Sequence, residues 1–361
     1  MAQNRAAWIM APMSKPFFIG NAPVYRPGPG EILIKAHSVA VNPVDWKIQD
    51  SGRYLRTYPF ILGRDAARTV EEVGEGVTRF HKGQRVIASV SLKPNGGYPW
   101  LTFTRHLHSA KSGDPANAAF QTYSVALERL AAALPSHLSF EDGAVMPLAI
   151  STAAAGLYLP EYLGLPLPSS EPNPTNKILL IWGGSSSVGA TAIQLATASG
   201  MKVIATASQS NHDFVKSLGA VEVFDYKSPQ VMQDLVSRLQ HSELVGIYDA
   251  IGETSSLTSL LIIVNHLARP IKSVTVHPFE SPTLYFAPSY VSSYGIAFPP
   301  NETIGEAIWG EFVPRALESG QLRANPEPLI LAHGLENIKY GLDRQKAGVS
   351  AQKIAITIRD Y

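Results

Sequence analysis

The sequence contains no cysteine, few charged residues and no long apolar run. The absence of cysteine excludes disulfides, thiolate catalysis and cysteine-ligated zinc. Charged residues make up 16% of the chain and the net charge is +1, so nothing favours nucleic acid or an acidic membrane surface as a partner. No apolar stretch approaches the roughly 20 residues that span a bilayer, and the N-terminus lacks a signal-peptide cleavage pattern. We therefore expect a cytoplasmic protein that binds neither membrane nor nucleic acid.

Histidines at metal-ligand spacing are also lacking. Ten histidines are present, but none forms an H-E-x-x-H motif or a similar pair. His106 and His108 fall in a loop-like segment, and we interpret them as solvated. The sequence predicts no metal site.

The most informative feature that is present is a Gly/Ser turn between an apolar strand and a helix, over residues 177–196. Its Gly184-x-Ser186-x-x-Gly189 spacing is one residue away from the dinucleotide fingerprint. A turn without bulky side chains lets phosphates approach backbone N–H groups at a helix N-terminus, and we expect Ser186 to add a hydroxyl donor. The alternative is an ordinary loop without a ligand. The predicted pyrophosphate-binding residues are Gly184, Ser185, Ser186, Ser187, Val188 and Gly189.

A second apolar strand at 201–208 completes a βαβ unit and bears on the choice of cofactor. Enzymes that use NAD usually place a carboxylate about 20 residues after the glycines, where it holds the ribose 2′-hydroxyl. Residues 205–211 contain no carboxylate, and Lys216 follows nearby. Small polar side chains leave room for a 2′-phosphate, so we expect NADPH rather than NADH. An ordinary solvated lysine is the alternative for Lys216.

The pattern changes along the chain and predicts two domains of the α/β class. Short strands separated by Gly and Pro in the first third are typical of an antiparallel barrel, whereas the middle alternates strands and helices as a parallel sheet does. A helix is predicted at 139–155, with Ser139 as its N-cap. A C-terminal helix and strand should return to the first domain. The predicted parts are a catalytic β-barrel (1–138), a doubly wound parallel-sheet nucleotide domain (139–300) and the return (301–361), with the active site in the interdomain cleft.

Six ordered segments carry a resemblance to a known family: 39–47, 62–65, 72–86, 182–195, 216–220 and 224–226. They resemble the medium-chain dehydrogenase/reductase superfamily, in particular its zinc-free quinone oxidoreductase and enoyl reductase branch. The resemblance runs nearly end to end, and residues 183–189, 147–152 and 309–312 are most similar to fungal enoyl reductases, including those that act in trans on polyketide synthases. It implies a GroES-like domain, a Rossmann domain, NADPH as donor and reduction of a carbon-carbon double bond conjugated to a carbonyl.

The resemblance also implies roles for individual residues. Lys47 is a candidate for hydrogen bonding near the ribose or the enolate, with a surface lysine as the alternative. Tyr54 lies near the position of a proposed proton donor. The alternatives are that its ring forms an aromatic wall and that a water molecule donates the proton. The remaining implied contacts are Val44, Asp45, Trp46 and Lys47 on the nicotinamide side; Ser208, Ser210, Lys216 and Tyr226 at the 2′-phosphate; Ser350 closing on the cofactor; and Ser151, Thr152 and Tyr158 at the substrate, with helix packing as their simpler role.

Departures from the relatives sharpen the expected chemistry. Zinc-dependent relatives carry a Cys near Asn42 and a His near Arg64, and both are absent here. We therefore expect conjugate reduction, in which hydrogen-bond donors stabilise an enolate oxygen, rather than direct ketone reduction. Arg68 replaces a usually small residue, and the longer excursion at 93–117 is hypothesised to form a lid.

Three functions remain open at the level of the sequence. The first is a trans-acting enoyl reductase that takes a carrier-bound polyketide-type enoyl thioester and has a polyketide synthase as partner. The second is a stand-alone quinone or enone reductase, and the third is a non-catalytic NADPH-binding partner protein. Either a monomer or a homodimer is expected.

Overall fold

A computed structural model describes residues 3–52, 55, 57–90 and 114–358. The chain divides into two compact units: unit 1 comprises Met1–Pro147 and Glu327–Tyr361, and unit 2 comprises Leu148–Pro326. Tyr54 and the hypothesised lid, apart from its last four residues, lie outside the described residues. Within those residues, no helix has the length and apolarity needed to cross a membrane.

Strands and helices are numbered here in chain order. The strands are β1 (Asn4–Ile9), β2 (Phe18–Ala22), β3 (Glu31–Ala40), β4 (Phe60–Ile61), β5 (Asp65–Val73), β6 (Arg85–Ser89), β7 (Tyr123–Leu127), β8 (Ala131–Ala133), β9 (Ile178–Trp182), β10 (Lys202–Ala207), β11 (Ala220–Asp225), β12 (Leu244–Asp249), β13 (Ser273–Thr275), β14 (Ser289–Tyr290), β15 (Glu327–His333) and β16 (Gln352–Thr357). The helices are α1 (Pro43–Ser51), α2 (Phe140–Ala144), α3 (Pro147–Tyr158), α4 (Ser187–Ala198), α5 (His212–Ser217), α6 (Val231–Leu239), α7 (Thr254–Leu267), α8 (Glu302–Gly305), α9 (Val313–Ser319) and α10 (Ile338–Lys346). A π-helix, Glu306–Phe312, joins α8 to α9.

Unit 1 is built on a seven-stranded sheet and a small three-stranded sheet. The larger sheet has the order β15-β16-β3-β5-β6-β8, with β7 also paired to β3, and the smaller has the order β2-β1-β4. The C-terminal strand β16 pairs antiparallel with β3, with Ala355 opposite Ala40. Ile354 and Ile356 thereby join the same buried cluster as Ile32. Burial of apolar side chains from both ends of the chain thus holds this unit together.

Unit 2 is a doubly wound parallel sheet, as the sequence predicts. Its order is β11-β10-β9-β12-β13-β14, and every pairing is parallel. The first strand of the unit, β9, is buried along its whole length and lies between β10 and β12. The strand order reverses between β9 and β12, and ligands of such sheets bind beyond the carboxyl ends of the strands at that point.

The single helix predicted over 139–155 is wrong, because the chain forms two helices there. Ser139 caps the first as expected, since its Oγ accepts from the Asp142 N–H at 3.0 Å. The second starts at Pro147, whose ring lacks an N–H and fits the first position of a helix but not its interior.

The boundaries between the units also differ from the predicted ones. Contacts divide the chain after Pro147 and after Pro326 rather than after residues 138 and 300. Helix α2 belongs to unit 1, where Phe140 stacks on His37 with 4.1 Å between ring centroids. Residues 301–326 belong to unit 2, where the Arg323 N–H donates to Gln194 Oε1 at 2.8 Å.

Candidate functional site

The turn between β9 and α4 requires glycine at two positions. Gly183 has a φ of 83°, which L side chains rarely adopt. A Cβ on Gly189 would lie 2.2 Å from the Gly183 carbonyl oxygen, far inside van der Waals contact. The helix therefore packs directly on the turn, and its N-terminus lies close to the strand end.

Ser186 caps α4, which differs from the role predicted for its hydroxyl. Its Oγ accepts from the Gly189 N–H at 3.1 Å and donates to the Gly183 carbonyl at 2.8 Å. Both bonds lie within the turn. The first N–H groups of a helix have no intrahelical acceptor, and a serine at the N-cap supplies one. The prediction that this hydroxyl contacts phosphate is therefore not supported by the geometry.

Three backbone amides in the turn remain open instead. Across the described parts of the chain, the N–H groups of Ser185, Ser187 and Val188 have no hydrogen-bond acceptor. All three residues are partly exposed. Open amides at a helix N-terminus, with the helix dipole behind them, form an anion site. The turn therefore fits a pyrophosphate.

The residues predicted to hold a 2′-phosphate follow two neighbouring strands. Ala207 and Asp225, the last residues of β10 and β11, are paired in register, so the loops that follow them start side by side. Ser208 Oγ and Ser210 Oγ lie 3.2 Å apart after β10. Tyr226 begins the other loop and is 45% exposed.

Two lysines lie on the segments that follow β10 and β11. Lys216 is exposed in the last turn of α5, which packs on β11. Lys227 Nζ lies 5.8 Å from the centroid of the Tyr226 ring. Described residues 205–211 at the end of β10 carry no carboxylate that would repel a phosphate.

In unit 1, Asp45 is a helix cap. Its Oδ2 accepts from the Asn42 N–H at 2.8 Å at the start of α1. The side chain is buried, and desolvation outweighs this hydrogen bond and raises the pKa of Asp45 to about 6. The carboxylate predicted to lie beside the cofactor is therefore committed to its own helix.

Trp46 and its neighbours on α1 face α10. The indole Nε1 of Trp46 donates to Gln345 Oε1, and Lys346 Nζ lies 5.4 Å from the ring centroid. Lys47 Nζ lies 5.7 Å from the same ring, a geometry in which the ring attracts both cations. Val44 is partly buried and packs on the unit 1 core. Lys47 is partly exposed and so remains available to a ligand.

A buried ion pair in unit 1 was not predicted from the sequence. Lys353 Nζ donates to Asp65 Oδ2 and to the Val145 carbonyl, the latter at 3.1 Å. Asn42 Nδ2 donates to the same Asp65 oxygen at 2.7 Å. The two charged side chains are 4% and 0% exposed. The only signals in the sequence are an aspartate in a Gly-x-Asp segment and a lysine in an apolar strand, and neither identifies the partner.

The three residues predicted at the substrate use their hydroxyls inside unit 2. Ser151 Oγ accepts from Trp309 Nε1 at 3.3 Å, and Thr152 Oγ1 donates to the Leu148 carbonyl at 2.7 Å. Tyr158 is 3% exposed and donates to the Leu195 carbonyl at 3.1 Å. The geometry supports the simpler alternative, helix packing, for Ser151 and Tyr158.

Of the two remaining predicted contacts, the structure describes only Ser350. Ser350 is exposed between α10 and β16 in unit 1. Tyr54 lies outside the described residues. Within the described ranges, no group of three or more His, Asp or Glu side chains is arranged to hold a metal ion.

Comparison with known proteins identifies the family. The profile of the alcohol dehydrogenase GroES-like domain matches residues 28–136, and that of zinc-binding dehydrogenases matches residues 187–269. The chain is 40% identical to trans-enoyl reductase himH of Aspergillus japonicus, over 98% of this chain and 97% of himH. The chain belongs to the medium-chain dehydrogenase/reductase family. This medium-chain reductase is also 39% identical to dehydrogenase orsE of Emericella nidulans, over 99% of this chain and 100% of orsE.

Solved structures confirm the fold of the medium-chain reductase. An alcohol dehydrogenase superfamily protein from Novosphingobium aromaticivorans matches with a TM-score of 0.75 at 23% identity, over 99% of this chain and 100% of that one. The CurK enoyl reductase matches with a TM-score of 0.70 at 16% identity, over 99% and 100% of the two chains. The predicted GroES-like and Rossmann architecture is confirmed, and the protein is an oxidoreductase of a nicotinamide-dependent family.

Proposed function

We propose that this medium-chain reductase uses NADPH to reduce the carbon-carbon double bond of an enoyl thioester, without a metal ion. The observation that carries the proposal is the set of three open amides at Ser185, Ser187 and Val188, beside a strand end without a carboxylate. The choice of reaction is supported by similarity to two proteins named trans-enoyl reductase, himH and, from Aspergillus flavipes, tndF.

The preference for NADPH rests on the loops after β10 and β11. A carboxylate at the end of the second strand would hold the 2′-hydroxyl of NADH and repel a 2′-phosphate. This chain has Ser208 and Ser210 there instead, the exposed Tyr226 follows the neighbouring strand, and Lys216 is our candidate for the cation. Hydroxyl donors and a cation suit a dianionic phosphate, which accepts charge-assisted hydrogen bonds.

The chemistry is a two-electron reduction. Bound NADPH supplies a hydride for the β-carbon of the enoyl group and becomes NADP⁺, and a proton is added at the α-carbon, so one carbon-carbon π bond is replaced by two C–H bonds. Negative charge develops on the thioester oxygen, where a hydrogen-bond donor stabilises it. Lys47 is our candidate for that donor, and Tyr54 or a water molecule is our candidate for the proton source.

The substrate is proposed to arrive on a carrier protein of a polyketide synthase. The relatives himH and tndF are named trans-enoyl reductases, and an enoyl reductase that acts in trans receives its substrate from another polypeptide.

The test is NADPH oxidation, followed by absorbance, with quinones, simple enones, and enoyl thioesters both free and carrier-bound. NADH serves as the control donor. We expect turnover with carrier-bound enoyl thioesters, faster than with the free thioesters, and slower turnover with NADH. Broad turnover of quinones and enones would instead establish a stand-alone reductase. NADPH binding without turnover of any acceptor would point to a non-catalytic protein and contradict the proposal.

A further inference from the structure

Asp249, the last residue of β12, carries a buried carboxylate that the proposed function does not use. It is 1% exposed. Its Oδ1 accepts from the Ile251 and Gly252 N–H groups at 3.0 and 3.1 Å. Its Oδ2 accepts from Ser256 Oγ at 3.0 Å and Thr275 Oγ1 at 3.3 Å. Four neutral donors thus surround this carboxylate, and burial still raises the pKa of Asp249.

The donors come from three elements that meet at the carboxyl edge of the sheet. Two belong to residues 250–252, which we name the β12 turn. Ser256 is in the first turn of α7, and Thr275 is the last residue of β13. One carboxylate therefore ties the β12 turn to the next helix and the next strand. Hydrogen bonds to a charged group contribute more than neutral ones, so this arrangement fixes the backbone of the turn.

The β12 turn packs against the turn that fits the pyrophosphate. The Ala250 N–H donates to the Trp182 carbonyl at 3.0 Å. A Cβ on Gly183 would lie 2.4 Å from Ile251 Cγ1, so the Ile251 side chain fills the space that the glycine leaves. Ser186 Oγ lies 3.5 Å from the Ala250 carbonyl oxygen. The two turns form one continuous surface.

The position of this surface indicates which half of a dinucleotide it meets. The open amides follow β9, and the residues suited to the 2′-phosphate follow β10 and β11 on one side of it. Adjacent strands are about 4.8 Å apart, so a dinucleotide with its pyrophosphate at β9 extends across several strands. Its other half must continue toward β12, on the far side of the point where the strand order reverses.

We propose that Asp249 is a positioning residue that presets the β12 turn as the contact surface for the nicotinamide half of the cofactor. This inference rests on the proposed function, because it requires NADPH to bind at the open amides. Asp249 itself touches no ligand and acts through Ile251 and Gly252. It therefore affects the nicotinamide half and leaves the adenosine half unchanged.

The test compares two ligands that share the adenosine half. NADPH and adenosine 2′,5′-bisphosphate are titrated, by calorimetry, into the wild type, Asp249→Asn and a matched control, Asp234→Asn, whose side chain is exposed on α6 of the same unit. In Asp249→Asn an amide N–H₂ replaces one acceptor oxygen, so we expect the Kd for NADPH to rise about tenfold. The Kd for adenosine 2′,5′-bisphosphate stays unchanged, and Asp234→Asn changes neither.

Hydrogen exchange measured without ligand tests whether Asp249 holds the β12 turn in place. Amide hydrogen exchange at Ile251 and Gly252 is expected to accelerate in Asp249→Asn, while exchange along β9 stays the same. Should Asp249→Asn fold poorly, Thr275→Val removes a single hydroxyl donor and is expected to change the same quantities in the same direction.

The outcomes that overturn the inference are distinct from failure of the proposed function. Equal weakening of both ligands would show that Asp249 only supports the unit as a whole, and unchanged affinity for both would show that it positions nothing. Unchanged amide exchange at Ile251 and Gly252 would show that Asp249 does not hold the β12 turn in place. If the wild type bound neither ligand, the proposed function would be wrong, and so would the assignment of the β12 turn to the nicotinamide half.

Discussion

Each unit buries a carboxylate at one end of a strand, and the two carboxylates are stabilised by different kinds of partner. Asp65, which begins β5 in unit 1, pairs with Lys353, 288 residues further along the chain. Asp249, which ends β12 in unit 2, is surrounded by neutral donors from its own neighbourhood. In unit 1 Lys353 and Asn42 both donate to the carboxylate and so join segments that are distant in sequence. In unit 2 the carboxylate holds the β12 turn, and the amides of Ser185, Ser187 and Val188 on the neighbouring turn are open for a ligand.

The sharpest way to break this comparison is to remove the cation of unit 1. Lys353→Met leaves Asp65 buried with its countercharge gone, and we expect the free energy of unfolding to fall by about 3–5 kcal/mol. Urea unfolding measures the change. Lys82→Met is the control, because Lys82 is 77% exposed beside Glu71, and we expect a change within about 0.5 kcal/mol. Equal changes in the free energy of unfolding would show that the buried pair contributes no more to stability than an exposed one.

The second prediction concerns the pH dependence of unit 1. Asp45 has a folded pKa of about 6, above its unfolded value of about 4, so the folded state binds more protons in that window. Stability from Asp45 is therefore fully present below about pH 4 and is lost as the pH rises to about 6, a change of up to about 3 kcal/mol. We expect Asp45→Asn to remove this loss in urea unfolding measured from pH 4 to pH 7.

Asp50 provides a control of opposite sign for that experiment. Hydrogen bonds from Lys15 and Lys346 lower the pKa of Asp50, so its contribution is present at higher pH and is lost as the pH falls. The difference between wild type and Asp50→Asn should therefore slope in the other direction. Parallel pH profiles for Asp45→Asn and the wild type would contradict the assignment of the effect to Asp45.

The third prediction moves to the open turn of unit 2. Gly189→Ala places a Cβ 2.2 Å from the Gly183 carbonyl oxygen, so the turn must open and its amides diverge. We expect NADPH affinity to fall about a hundredfold, or about 2.7 kcal/mol, as measured by fluorescence titration. Gly83→Ala in unit 1 is the control: Gly83, unlike Gly189, has a positive φ of 85°, but a Cβ there would meet open space. That control should lose about 1 kcal/mol of stability and no cofactor affinity.

The smallest expected effect is on the choice between cofactors. Lys216→Ala removes the cation proposed to contact the 2′-phosphate, and we expect NADPH affinity to fall about tenfold while NADH affinity stays the same. Parallel titrations of both cofactors measure it. Lys177→Ala is the matched control, since Lys177 precedes β9 and is not among the residues proposed to hold the phosphate. Loss of both affinities in Lys216→Ala would show that the lysine acts on the fold and not on the phosphate.

Local sequence patterns are sufficient to predict much of unit 2. The glycine at 189 is dictated by close packing, and the run from 178 to 182 is fully apolar because both faces of a parallel strand are buried. Both signals lie within a few residues of the chain. The break at Pro147 was also available in the sequence, because proline is excluded from a helix interior.

What could not be predicted depends on groups that are distant in sequence. Nothing near Asp65 or Lys353 indicates that they pair, and nothing near Ser151 indicates that Trp309 donates to it. The capping role of Ser186 could not be predicted for a different reason: a serine at that position can donate to a ligand or cap a helix, and the sequence pattern is the same in both cases. Arg68, which is fully buried and donates to the Ala119 and Gln121 carbonyls, follows from no local pattern.

The pairing of β16 with β3 also constrains the order in which the chain can fold during translation. Residues 148–326 of unit 2 are contiguous and can complete their sheet as soon as they leave the ribosome. Unit 1 emerges first, but β3 lacks one of its neighbours and Asp65 lacks its lysine until Gln352–Thr357 has been synthesised. The half-built sheet keeps an open strand edge for the whole of that time, and such edges invite aggregation. The segment made first is therefore the last to become stable, and it is where a nascent chain would most need a chaperone.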